Sequence, residues 1–155
     1  MAREFKTTKR VEFAETDCAG ILHFASFFRY MEEVEHEFLR SCGLSVHTTL
    51  EDGSVIGFPR VSARCDFSNP VTFEDVLDVH LWISRLGTKT IEYSFLFSMG
   101  NKEIAMGQVI VIACKVGEGH TIQSIPIPEP FKKVLKKADL PPLSFHAPSG
   151  EKKDG

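Results

Sequence analysis

The sequence has no C-x-x-C pair, no apolar run near the ~18 residues a membrane span needs, and no surplus of positive charge. Its four cysteines, Cys18, Cys42, Cys65 and Cys114, are scattered and show no ligand spacing with the six histidines. A disulfide framework and a zinc site are therefore not expected, and neither is any other metal. The opening MAREFKTTKR lacks the pattern of a secretory leader, so reduced thiols in the cytoplasm are the expectation. A formal net charge of -3 provides no overall field for nucleic acid or an anionic membrane. It leaves room for a local basic patch that would hold a phosphorylated small molecule. Tyrosine and tryptophan are scarce, at two and one, against 13 phenylalanines. Phenylalanine fills cores and apolar pockets without a polar group that needs a partner.

What is present fits one compact domain. With 155 residues, 43% of them hydrophobic, there is room for one core. No internal repeat is visible. Residues 1–140 read as the domain and 141–155, PPLSFHAPSGEKKDG, as a flexible tail. A first strand is expected over Lys6–Phe13, followed by a tight connection, AETDCAG. From Phe24 to Arg40 the apolar period changes to that of a helix. Phe24, Phe27, Phe28, Met31, Val34, Phe38 and Leu39 follow three- and four-residue steps, with Arg29, Glu32, Glu33, His36 and Glu37 opposite. The first half, FASFFRYM, is apolar around most of its circumference and predicts a helix wrapped by sheet. SVHTTLEDGSVIGFP reads as an irregular connection. Four strands then follow, Arg60–Phe67, Val76–Leu86, Thr90–Met99 and Ile104–Val116, and a short basic helix lies in IPIPEPFKKVLKKADL. Short connections make the strands antiparallel neighbours, so the class is α+β, an antiparallel sheet covering one long helix.

Asp17 stands in the turn before that helix, seven residues ahead of Phe24, with Gly20 allowing a tight return. A helix N-terminus presents unpaired N–H groups and about half a positive charge. It stabilises a nearby carboxylate and can hold an oxyanion. A base or nucleophile and an oxyanion hole can thus come from one turn. On this ground alone, an aspartate before a helix is more often a cap or turn residue.

The run FAETDCAGILHFASFFRYME resembles the signature of the 4-hydroxybenzoyl-CoA thioesterase family of hotdog proteins. That signature has a T-D or D-x-D pair, small residues, a glycine, two aliphatics and an aromatic-rich helix with a glutamate. The likeness is densest over Val11–Leu44 and extends loosely from Lys6 to Leu140. It implies an acyl-CoA thioesterase of the hotdog fold, acting on aromatic or short-to-medium acyl groups. Asp17 matches the catalytic aspartate, Phe24 the backbone oxyanion donor and Gly20 the turn glycine. Coenzyme A would arrive as part of the substrate, with no cofactor. The family forms homodimers or homotetramers with active sites at the dimer interface. Many members carry an aromatic-His pair where this chain has His23-Phe24, so the imidazole lies one position early. One residue turns a helical side chain by about 100°, and His23 reads either as a polar residue at the helix start or as a substrate contact.

Other residues carry weaker signals. Arg85, Lys89 and Thr90 flank the turn SRLGTKT, a candidate for the phosphates of coenzyme A or an ordinary solvated hairpin. Glu32, Glu33 and Lys132, Lys133, Lys136 and Lys137 read as solvated faces. Phe27, Phe28 and Phe67 are core or acyl-pocket residues. Two further functions stay open at this point. A hotdog dehydratase would use a His and an acidic residue such as His23 and Glu37, but the proline- and glycine-rich stretch expected between them is absent. A non-catalytic acyl-CoA binding module would have no need of Asp17.

Overall fold

The computed structural model describes residues 2–117, 119 and 121–145. Three strands and the helix fall where periodicity and turn residues place them. These are α1 (Phe24–Ser41), β4 (Arg60–Phe67), β5 (Val76–Leu86) and β6 (Thr90–Met99). The first strand, β1, is Glu4–Arg10 rather than Lys6–Phe13, because the chain turns at Glu12 into a short 3-10 turn, Phe13–Glu15. The Glu15 carboxylate accepts from the Glu12 N–H and closes that turn as a capping box. The supposed irregular connection holds two short strands, β2 (Thr48–Thr49) and β3 (Val55–Gly57). The run read as Ile104–Val116 is two strands, β7 (Lys102–Ile112) and β8 (Cys114–Val116). Ala113 breaks it: its N–H donates to the Lys89 carbonyl, and the chain then leaves the main sheet to pair with β3. A last strand, β9 (Ile122–Ser124), and the six-residue helix α2 (Glu129–Val134) follow.

The main sheet is antiparallel in the order β1-β5-β6-β7-β4, and a smaller sheet runs β2-β3-β8-β9. The alternation of β5, β6 and β7 sends Leu81, Ile83, Tyr93, Phe95, Phe97, Val109 and Val111 to one face, all buried. Against them lies the apolar stripe of α1, with Phe27, Met31, Val34 and Phe38 at 3% exposure or less. Helix and sheet approach most closely at Gly107. A Cβ there would fall 2.2 Å from the Met31 sulfur, so a side chain at 107 would force the Met31 thioether to move. This is the hotdog arrangement, α+β, with one long helix held in an antiparallel sheet.

The helix start is less covered than its composition predicts: Phe24 is 61% exposed. No described strand follows β4 to cover that side, so β4 is an open edge with Val61 and Phe67 exposed. On the outer face of the sheet, residues Leu140–Ser144 line a hollow with His80, Trp82 and Leu96. The Phe145 ring lies under the Arg64 guanidinium at 4.4 Å. Residues 146–155 of the expected tail lie outside the described residues.

Candidate active site

The turn that carries Asp17 is built by short-range hydrogen bonds. Asp17 N–H donates to Ile21 O at 2.9 Å, Gly20 N–H donates to Asp17 O at 2.9 Å, and Ala19 N–H donates to Asp17 Oδ1 at 2.8 Å. Gly20 adopts φ 78°, the left-handed conformation that a side chain disfavours. One carboxylate oxygen is thereby used to shape the turn. The other, Oδ2, has no protein partner among the described residues and is free for chemistry.

Asp17 lines a cavity of about 410 Å³ with Phe24, Phe27, Phe67, Asn69 and Val71. Phe27 forms the apolar wall, edge-on to Phe67 at 5.2 Å and to Phe97 at 5.4 Å. The Phe24 N–H is the first of α1 and has no acceptor among the described residues, as the opening amides of a helix do not bond within it. Two residues with an unpaired carboxylate oxygen and an unpaired amide among the described residues thus line one mostly apolar cavity. Such a site can deliver an attacking oxygen to a carbonyl and hold the oxyanion that results.

His23 caps the helix: its Nδ1 accepts from the Ala25 N–H at 3.1 Å and its ring stacks on Phe24 at 4.7 Å. It does not line the cavity. Arg85, Lys89 and Thr90 lie at the far end of the main sheet, roughly 30 Å from Asp17 at ~3.3 Å per residue along β5. Lys89 Nζ donates there to Ser124 Oγ at 3.2 Å. A single chain does not bring them to the cavity. Glu33 pairs with Lys9 at 3.1 Å, and Glu32 lies 3.8 Å from Arg60. Phe28 is partly buried outside the cavity.

Sequence reasoning missed several contributors. Ser68, Asn69 and Val71 line the cavity from the connection between β4 and β5. Glu35 and Arg60 form an ion pair at 2.5 Å, with Glu35 1% exposed; a glutamate on the apolar side of the helical period was the signal for it. A larger hollow of about 810 Å³ lies between Leu50–Asp52 and Pro126–Lys133, but its carboxylates, Glu51, Asp52 and Glu129, are all exposed. Among the described residues no three His, Cys, Asp or Glu side chains cluster to hold a metal ion, and no helix is long and apolar enough to cross a membrane.

Comparison with known proteins shows the family and the fold. The family model described as the Thioesterase-like superfamily matches residues 11–138. A protein of Aquifex aeolicus (strain VF5) named as an esterase is 33% identical over 128 residues, covering 83% of this chain and 94% of that protein. A 1,4-dihydroxy-2-naphthoyl-CoA hydrolase of Synechococcus sp. (strain WH7803) is 32% identical, covering 70% of this chain and 74% of that protein. The crystal structure of a 1,4-dihydroxy-2-naphthoyl-CoA thioesterase from Synechocystis superposes with a TM-score of 0.75 at 25% identity, covering 84% and 94%. The fold and these relatives define a hotdog enzyme of the thioester-hydrolase class. The chain belongs to the Thioesterase-like superfamily.

Proposed function

We propose that this protein hydrolyses an aromatic acyl-CoA to the free acid and coenzyme A, with Asp17 supplying or activating the attacking oxygen and the Phe24 N–H receiving the oxyanion. The observation that supports this reading is the shared cavity: Asp17, with one carboxylate oxygen unpartnered among the described residues, and Phe24, whose N–H is unbonded among them, both line the same apolar space. Relatives named for naphthoyl-CoA and 4-hydroxybenzoyl-CoA substrates support an aromatic acyl group, as do Phe24, Phe27 and Phe67 around the cavity. The 4-hydroxybenzoyl-CoA enzymes are one of several such groups, so the ring itself is left to a substrate panel.

The chemistry asks little more of the protein. A thiolate leaving group has a pKa of ~8.5, like free cysteine, and departs at neutral pH without a strong general acid. Asp17 either attacks the carbonyl to give a mixed anhydride or takes a proton from the attacking water. The dehydratase reading loses support from the geometry. The His23 imidazole is engaged as a cap, and Glu37 is paired with Lys9 at 2.7 Å. A binding module leaves the convergence of carboxylate and amide without a purpose.

The open β4 edge and its exposed Val61 and Phe67 favour self-association, in which a second copy continues the sheet. Antiparallel pairing of β4 with its copy would lay the Arg60 end of one protomer beside the Phe67 end of the other. The distant Arg85–Thr90 hairpin of one chain would then approach the cavity of its partner.

The test is thiol release from a panel of acyl-CoAs, including 4-hydroxybenzoyl-CoA and benzoyl-CoA, by wild type and Asp17→Asn. The variant should lose at least ~10²-fold in kcat. Retention of more than half of the wild-type rate would remove Asp17 from the reaction.

A further inference from the structure

The Asp17 turn is bonded to Val71 and Thr72 through Leu22 and Ile21, and its distance from the Phe24 amide also depends on what ties it to the helix. Glu15 makes that tie twice. Its backbone carbonyl accepts from His23 N–H at 2.9 Å and from Ser26 Oγ at 3.3 Å, joining the turn to the first turn of α1. Its carboxylate Oε2 accepts a short hydrogen bond from the Tyr30 hydroxyl, one turn and a half further along the helix. The same oxygen accepts from Glu12 N–H at 2.9 Å, and the Tyr30 hydroxyl also lies 3.3 Å from Arg10 O. Strand end, 3-10 turn and helix thus meet at one part-buried junction two residues before Asp17.

Tyr30 is built for this. It is the sole polar ring among the helix residues turned to the core, and it is 1% exposed. Burial, and then the adjacent Glu15 carboxylate, hold its pKa well above the ordinary tyrosine value, so the hydroxyl stays a donor at every working pH. A phenylalanine would fill the same space, as it does at many other positions in this chain. The hydroxyl is the difference, and the acceptor it reaches belongs to the turn of Asp17.

We propose that Glu15 and Tyr30 are positioning residues that set the Asp17 carboxylate against the helix N-terminus, an inference that rests on the hydrolase reading of the Asp17 cavity. Neither lines the cavity. They act through the turn. Misplacement of a reacting group by ~1 Å costs about 10²-fold in rate, so loosening this tie to the helix should cost roughly tenfold or more.

The experiment measures kcat and KM for Tyr30→Phe, Glu15→Met, the pair together, and each single change combined with Asp17→Asn. The substrate is the aryl-CoA that wild type hydrolyses fastest. The expected result is a fall in kcat of about tenfold or more with KM within about twofold. The pair together should be no slower than the worse single variant, because both remove one bond. On an Asp17→Asn background, either change should alter the remaining rate less than about twofold. A general structural role would lower that remaining rate as well. Glu15→Met keeps the side-chain length and the backbone tie but offers no acceptor, so it serves if Tyr30→Phe does not fold. A folded variant with kcat within about twofold of wild type overturns the proposal, and so does an equal loss on the Asp17→Asn background. If Asp17→Asn is inactive while both tie variants are normal, the tie alone is refuted. If Asp17→Asn remains active, the hydrolase reading fails and the proposal falls with it.

Discussion

Glu35 offers the sharpest quantitative test of how this core is balanced. Its carboxyl is 1% exposed on the inner side of α1; Oε2 accepts from Arg60 at 2.5 Å, while Oε1 has no partner. Burial raises its pKa from the ordinary 4.5 to about 7; the Arg60 guanidinium opposes the rise and Glu32 adds to it. The native state therefore holds a proton that the unfolded chain has already released between pH 4.5 and about 7. By linkage, stability falls as pH rises through that window and levels off above it. The displacement corresponds to ~3 kcal/mol, or roughly 8 °C in Tm for a chain of this size. Glu35→Gln keeps the shape and an acceptor for Arg60 but cannot ionise. Urea denaturation of wild type and Glu35→Gln at pH 5 and pH 8 isolates this one group, since the other titrations are shared. The stability of wild type relative to the variant should drop by ~3 kcal/mol between the two pH values. A difference that is flat from pH 5 to pH 8 refutes the reasoning and means that Glu35 is ionised throughout. The same imbalance makes Arg60→Met costly above pH 7, because it strands a buried charge.

Two further outcomes follow from surfaces the fold leaves open or covers. Sedimentation or gel filtration should give a mass at least twice the 17.4 kDa chain, from pairing at the β4 edge; a monomer at micromolar concentration would count against that interface. Truncation after Asp139 should uncover Trp82, the one tryptophan in the sequence, now 5% exposed beneath Leu140–Ser144. Its fluorescence should shift to the red and be quenched by added iodide; unchanged emission would show that the segment is not what buries it.

Much of this protein could be read without coordinates, for a physical reason. Helical period, strand alternation and turn chemistry are properties of residues within a few positions of one another, and β4, β5 and β6 begin and end where Arg60–Phe67, Val76–Leu86 and Thr90–Met99 predict. The Asp17–Gly20 turn ahead of α1 is equally local, which is why the candidate carboxylate and the free amide at Phe24 could be named together.

Relations between distant parts of the chain were decided by packing. The break at Ala113 depends on an acceptor at Lys89, 24 residues away, and the tyrosine at position 30 gains its meaning only from a carboxylate across the junction at Glu15. His23 was ambiguous as a letter, and the helix geometry turned it into a cap. Asn69 and Val71 reach the cavity because β4 ends there, and Arg85 through Thr90 lie away from it because β5 runs the length of the sheet. Glu35 was one more charged residue in a helix until folding placed it under Arg60, out of reach of water. Local pattern determines which elements form; the cost of burying a charge, or of leaving an amide unbonded, is set only when those elements close on one another.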